Sequence, residues 1–296
     1  MFNADSLFLI GHSHKVCEDF TLHGKTLGPH VGTAYAMLMD GCSSSCTYGG
    51  MREPLNVDTG ARLLAITLRN MLYKYGYDIP VGKSFEEIFS YAMSEAAHGS
   101  VPAEILDCTV GFCVVDKSFK DKHYIPDLPR FKVQLFGDGV IVAENENVVE
   151  VVIVEYESGA PYYLSYVADP NRHKQYDKKF GKGKKIVRRL FFEKTEDGLA
   201  FQEQVSEEEY PLYSGYFCSF PVTSVSIMSD GVLSFYGENG LVPIEELIPQ
   251  LFPFKNKRGE FLHKKMNLFN RFVKETGIRH EDDFSWASIV WNPPNG

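Results

Sequence analysis

No stretch of the sequence is apolar for long enough to span a bilayer, and no basic segment followed by a long apolar run opens it. Leu7 to Ile10 is only a short patch. A membrane is therefore not an expected partner. The six cysteines include no C-x-x-C pair, and Cys42 and Cys46, four residues apart, have no histidine pair at zinc-finger spacing, which argues against zinc. With no sign of a disulfide framework, the expected compartment is the reducing cytoplasm. Positive charge is in deficit: 30 Lys and Arg face 39 Asp and Glu, giving a net charge of -9, so nucleic acid is not an expected partner either. What is present is length and apolar content. The 296 residues, 44% of them hydrophobic, suffice for a substantial core and are read as one domain spanning 1–296.

One short pattern recurs. Val31 to Met39 is small or apolar, follows Gly28-Pro29 and stops at Asp40-Gly41, as a buried strand would if it delivered a carboxylate to a sheet edge. Taken alone, Asp-Gly is a common turn pair. The motif returns, however, in Ser224 to Met228, which runs into Ser229-Asp230-Gly231. Glu281-Asp282-Asp283-Phe284-Ser285 places further carboxylates just before the apolar stretch Trp286 to Trp291, and Cys17-Glu18-Asp19-Phe20 adds an acidic pair near the N-terminus. Magnesium and manganese prefer hard oxygen ligands and retain several waters, so a few carboxylates gathered from distant strands suit them.

Taken in order, residues 5–10 and 16–22 read as short strands around Gly11 to Lys15, a polar segment whose His12, His14 and Lys15 are candidates for contacting an anion. Asp58 is placed as the N-cap of a helix with Ala61, Leu64, Ala65, Leu68 and Leu72 on one face and Gly76 at its end. Ser84 and Glu87 form a capping box for a second helix that buries Phe85, Ile88, Phe89, Ala92 and Ala96. Strand periodicity follows at 109–115, 131–136, 140–143 and 148–155, with a hairpin turn at Gly137-Asp138-Gly139. Residues 156–216 form the least regular part, an insertion or flap. Strand-like pieces at Tyr162 to Val167 and Ile186 to Phe192 flank a basic loop at 172–189 that carries nine positive charges against Asp177 alone. Helices at about 243–251 and 261–275 precede a final strand, so the fold class is a layered α+β domain.

The order of these acidic elements resembles that of the metal-dependent protein phosphatases of type 2C, in particular their divergent bacterial or phage-like branch. The resemblance runs from about Gly11 to Trp291, except in 156–216. It implies a four-layer α-β-β-α sandwich of two antiparallel sheets flanked by helix pairs. It also implies a serine/threonine phosphoprotein phosphatase that uses two Mg²⁺ or Mn²⁺ ions and acts opposite a cognate kinase. By position, Asp40 would bridge the ions, Gly41 would offer its carbonyl, Asp230 and Asp282 would complete the second ion's shell, and Glu18 and Asp19 would act through metal-bound water. Asp138 matches a residue that helps hold a third ion. The acidic partner usual four residues after Asp230 is here Ser234, so a third ion is not expected to be held stably. The family's phosphate-gripping arginine is replaced by His14, with Lys15 and His12 nearby, and its usual histidine after Asp-Gly by Cys42. Asp40, Asp19 and His14 are thus the expected catalytic groups. These departures leave open a second reading, a catalytically silent relative that binds a phosphoprotein and regulates it.

Overall fold

The computed structural model describes residues 2–25, 34–42, 45–48, 51–54, 57–75, 94, 103–116, 130–181, 184–195, 198–209, 212–217, 222–255 and 257–292. In chain order its first part contains β1 (Phe2–Leu9), β2 (Phe20–Lys25), β3 (Ala34–Gly41), a small ribbon of β4 (Ser45–Tyr48) and β5 (Met51–Pro54), and helix α1 (Val57–Tyr75). Strands β6 (Cys108–Asp116), β7 (Arg130–Phe136), β8 (Gly139–Glu144) and β9 (Val148–Tyr156) lead to helices α2 (Leu164–Ala168) and α3 (Pro170–Phe180). Next come β10 (Lys184–Thr195), β11 (Gly198–Glu209), β12 (Leu212–Phe217) and β13 (Ser224–Met228), followed by the short strands β14 (Phe235–Gly237) and β15 (Gly240–Leu241). Helices α4 (Ile244–Leu251) and α5 (Phe261–Thr276) then precede β16 (Arg279–His280) and β17 (Phe284–Trp291).

Two antiparallel sheets form the body, one in the order β1-β17-β13-β8-β9-β10-β11 and the other β12-β7-β6-β3-β2. Strand alternation gives each sheet two apolar faces. Inner-face residues such as Ala36, Leu38, Val133 and Leu135 of one sheet meet Ile141, Val152, Val225, Ile227 and Ile289 of the other. On the outer face of the five-stranded sheet, Met37, Met39 and Val110 pack against Ala61, Leu64, Ala65 and Leu68, the expected stripe of α1. On the outer face of the seven-stranded sheet, Val140, Val142 and Trp286 are covered by α4, which buries Ile244, Leu247, Ile248 and Leu251, and by α5. Each such side chain stabilises the sandwich by about 1.5–3 kcal/mol. The α+β class and the α-β-β-α layering are therefore as expected. The second helix of the α1 side, read at 84–96, lies outside the described residues, apart from Ser94. No helix among the described residues is long and apolar enough to cross a membrane.

Three local readings need correction. Gly137-Asp138-Gly139 is not a hairpin turn, since β7 and β8 belong to different sheets and the turn carries the chain across the sandwich. Tyr162 to Val167 is not a strand: Leu164–Ala168 is helical, and its Tyr166, with Tyr162 just ahead of it, packs on Tyr176 of α3. The basic stretch is not a loop either. Asp169 accepts from the N–H of Asn171 ahead of Pro170 and starts α3, and the later charges sit on β10. There the antiparallel register sets Lys184 and Arg188 beside Glu207 and Glu203 of β11, while Arg189 meets Glu150 of β9. Cross-strand carboxylates thus answer charges that look unmatched along the sequence.

Candidate metal centre

The acidic motifs converge because the strands bearing them end at the same pole. Leu9 of β1 pairs with Phe284 of β17, Met228 of β13 with Val140 of β8, and Asp40 of β3 with Thr109 of β6. The chain also changes sheet at this pole, through 10–19 and again through Gly137-Asp138. Carboxylate oxygens of Asp40, Asp138 and Asp230 consequently lie within 4.8 Å of one another.

Close backbone packing explains the paired glycines. A β-carbon on Gly41 would come 2.6 Å from the carbonyl oxygen of Glu18, and one on Gly231 would come 1.8 Å from that of Asp283. Neither position has room for a side chain. The recurring Asp-Gly therefore reflects two main chains in contact beside each carboxylate, and at Asp230-Gly231 the chain also turns, with the Val232 N–H donating to the Ser229 carbonyl at 3.3 Å.

The electrostatics are those of carboxylates crowded against one another. Burial pushes Asp40 well above the ordinary carboxyl range, and the neighbouring Asp19, Asp230 and Asp138 push it further. Asp138 is raised to about 7 by burial and by Asp230, although the Thr109 hydroxyl donates to it at 3.0 Å. Burial and Asp282 raise Asp230. Asp19 is 1% exposed, and neither of its oxygens has a well-formed hydrogen bond. Burial lifts it to about 7, partly offset by the flanking Ser285 and Ser229 hydroxyls. A buried carboxylate without donors is costly unless a cation compensates it, and this all-oxygen set suits Mg²⁺ or Mn²⁺.

Asp282 and Asp283 occupy different environments. Asp283 is buried and accepts from the backbone N–H groups of Gly11 at 2.7 Å and Glu18 at 2.6 Å, so it ties the N-terminal acidic loop to the last strand. Asp282, about half exposed, donates its backbone N–H to the Ser234 hydroxyl at 3.2 Å, and that hydroxyl in turn donates to the Gly231 carbonyl. The serine standing where an acidic residue was expected thus positions two of the motifs. His14 lies 3.3 Å from Asp282 and 3.1 Å from Asp283. Burial lowers its pKa, but the two aspartates and Glu18 raise it to a net value above the ordinary one. His12 and Lys15 are exposed on the same loop, and the His12 backbone donates to the His280 carbonyl at 3.2 Å.

A wall beside the cluster was not legible in the sequence. Asp107, just ahead of β6, accepts a two-pronged contact from Arg172 at 2.7 and 2.5 Å and a hydrogen bond from Ser165, which docks α2 and α3. Its carbonyl also accepts from the N–H of Cys42. Tyr163 is raised far above its ordinary range by burial and by its neighbours Cys42, Asp138 and Asp40, so its phenol stays protonated at the edge of the cluster. One aspartate and one arginine 65 residues apart, Asp107 and Arg172, leave no spacing signal that could have found this pairing.

No protein-family profile matches the sequence. No curated protein matches it. Solved structures do resemble it in shape. A variant of a bacterial serine phosphatase superposes with a TM-score of 0.50 at 8% sequence identity, covering 99% of this chain and 99% of that one. The SiaA-PP2C domain of Pseudomonas aeruginosa has a TM-score of 0.48 at 12% identity, over 97% of this chain and 86% of that one. The first of these likenesses establishes a shared fold.

Proposed function

We propose that the chain is a metal-dependent phosphoprotein phosphatase acting on phosphoserine or phosphothreonine, a type 2C relative of the divergent bacterial or phage-like branch. The observation that carries this reading is the convergence of Asp40, Asp138 and Asp230 beside the buried, hydrogen-bond-poor Asp19, at a pole formed by both sheets. In this reading Asp40, Asp230, Asp282 and the Gly41 carbonyl hold two Mg²⁺ or Mn²⁺ ions, with Glu18 and Asp19 oriented toward their waters. When bound, the ions supply Lewis-acid activation of water and neutralise charge building on the phosphoryl group. Thr109 fixes the orientation of Asp138, Ser234 that of the Asp282 backbone, and Asp283 the loop carrying Glu18. When protonated, His14 would offer the phosphate a cation partly neutralised by its two aspartates, and Lys15 and His12 would add further positive charge from the same loop. The 156–216 region is read as an insertion of the single domain, with α2 and α3 walling the site. A cytoplasmic setting and a kinase that makes the substrate complete the proposal.

The silent-regulator reading is favoured by one observation: His14, standing in the place of the phosphate-gripping arginine, already has two carboxylate partners. Hydrolysis of p-nitrophenyl phosphate and of a phosphothreonine peptide in EDTA, Mg²⁺ or Mn²⁺, run beside Asp40→Asn and Asp230→Asn, separates the two. Turnover that needs metal and is lost in both variants supports the phosphatase. Metal binding by calorimetry without turnover supports the regulator, and absence of metal binding overturns both.

A further inference from the structure

The pole opposite the acidic cluster carries a different chemistry. β8 begins beside Asp138 and ends at Glu144, six residues on, which at about 3.3 Å per residue is roughly 20 Å away. There the segment linking α4 to α5 encloses a cavity of about 360 Å³. Its apolar lining includes Phe252, Phe254, Phe261 and Leu268, the last 57% exposed. Its rim carries Lys255, Lys264 and Lys265.

These lysines are not answered as those of β10 are. Among the described residues neither Lys255 nor Lys265 has a carboxylate at ion-pair distance, and Lys264 Nζ donates only to the Arg258 carbonyl at 3.3 Å. Lys265 is half-buried, and burial lowers its pKa. The more distant Glu144 partly counters this, and Lys255 adds like-charge repulsion. Glu144 is itself engaged below the cavity by the Ser224 hydroxyl at 2.7 Å and the Phe254 N–H at 3.2 Å. A protein of net charge -9 therefore keeps two mutually repelling ammonium groups at the mouth of an aromatic cavity.

We propose that this cavity binds a small amphipathic anion, with an aromatic or branched apolar body seated on Phe252, Phe254 and Phe261 and a carboxylate, sulfonate or phosphate head between Lys255 and Lys265. The volume lies at the lower end of the small-molecule range of about 300–1,000 Å³. The lining is helix and loop with no sheet edge to extend, which favours a small ligand over an extended peptide.

The test is titration of the full chain with 8-anilinonaphthalene-1-sulfonate, read by fluorescence, for the parent and for Lys255→Glu, Leu268→Glu and Asp40→Asn. Lys255 and Leu268 are exposed, so both variants retain the fold, as a thermal melt checks. Saturable one-site binding is expected, weakened about tenfold or more by Lys255→Glu and by Leu268→Glu, unchanged by Asp40→Asn, and displaced by naphthalene-1-sulfonate more effectively than by inorganic phosphate. Binding that does not saturate, or that neither rim variant changes, overturns the assignment. An acidic peptide that displaces the dye at lower concentration than naphthalene-1-sulfonate overturns the small-ligand reading in favour of a protein partner.

Discussion

Replacing Asp40 with asparagine should make the metal-free protein more stable while removing its response to metal. Asp40 faces Asp138 and Asp230 with oxygens within 4.8 Å. Each pair of full charges at that distance repels by about 3.5 kcal/mol at an effective dielectric of about 20, and by about 0.9 kcal/mol in bulk water. Two neighbours bracket the relief at roughly 2–7 kcal/mol. Proton uptake caps the upper end, because holding an ordinary carboxyl protonated at about pH 8 costs about 6 kcal/mol. A gain of about 2–6 kcal/mol remains, which at about 0.6 kcal/mol per degree for a chain of this size raises Tm by about 3–10 °C. Scanning calorimetry in EDTA at about pH 8 measures it. The parent should then gain stability on adding Mn²⁺, and Asp40→Asn should not. If Asp40→Asn melts below the parent in EDTA, or retains the full Mn²⁺ shift, repulsion does not dominate this cluster and the cation site is misassigned.

Other outcomes can be checked on the same protein. Asp19 and Asp138 titrate at about 7 when folded, so the folded chain holds protons that the unfolded chain has already released. Their contribution to metal-free stability is full below about pH 4 and lost as pH rises through about 7, and saturating Mn²⁺ should flatten the decline seen in a series of melts. Gly231→Ala forces a β-carbon against the Asp283 carbonyl and should cost about 3 kcal/mol or more in urea unfolding, with metal affinity falling in parallel. Asp107→Asn strands a largely buried Arg172 and should cost about 3–5 kcal/mol, most of it restored when Arg172→Met is added; a cycle without such coupling would refute the docking role of this pair.

The layers were legible because their signals are local. Unbroken apolar or strand-like runs marked β3 and β13, strand periodicity marked β7, β8 and β9, and the 3.6-residue stripe marked α1. The Asp-Gly endings announced carboxylates at strand ends, and three of these aspartates do meet. What escaped depends on which strands become neighbours. Nothing in Gly137-Asp138-Gly139 tells a hairpin from a passage between sheets. The positive charges of Lys184 to Arg189 read as a solvated loop until β11 sets glutamates across from them. Ser234 and Asp283 looked like a missing ligand and a spare one, yet both hold backbone in place, a role set by contacts 48 and 265 residues away.

The distribution of the acidic groups between the sheets has a mechanical consequence. Asp40 hangs from the five-stranded sheet, Asp230 and Asp282 flank strands of the seven-stranded one, and Asp138 lies on the link between them. A cation shared by these groups would be a clasp across the seam of the sandwich, and sliding one sheet past the other by a single residue, about 3.3 Å, would open it. Closing the clasp should therefore slow amide exchange in β3 and β13 together, although no backbone hydrogen bond joins those strands, making the seam as much a reporter of ion occupancy as the carboxylates themselves.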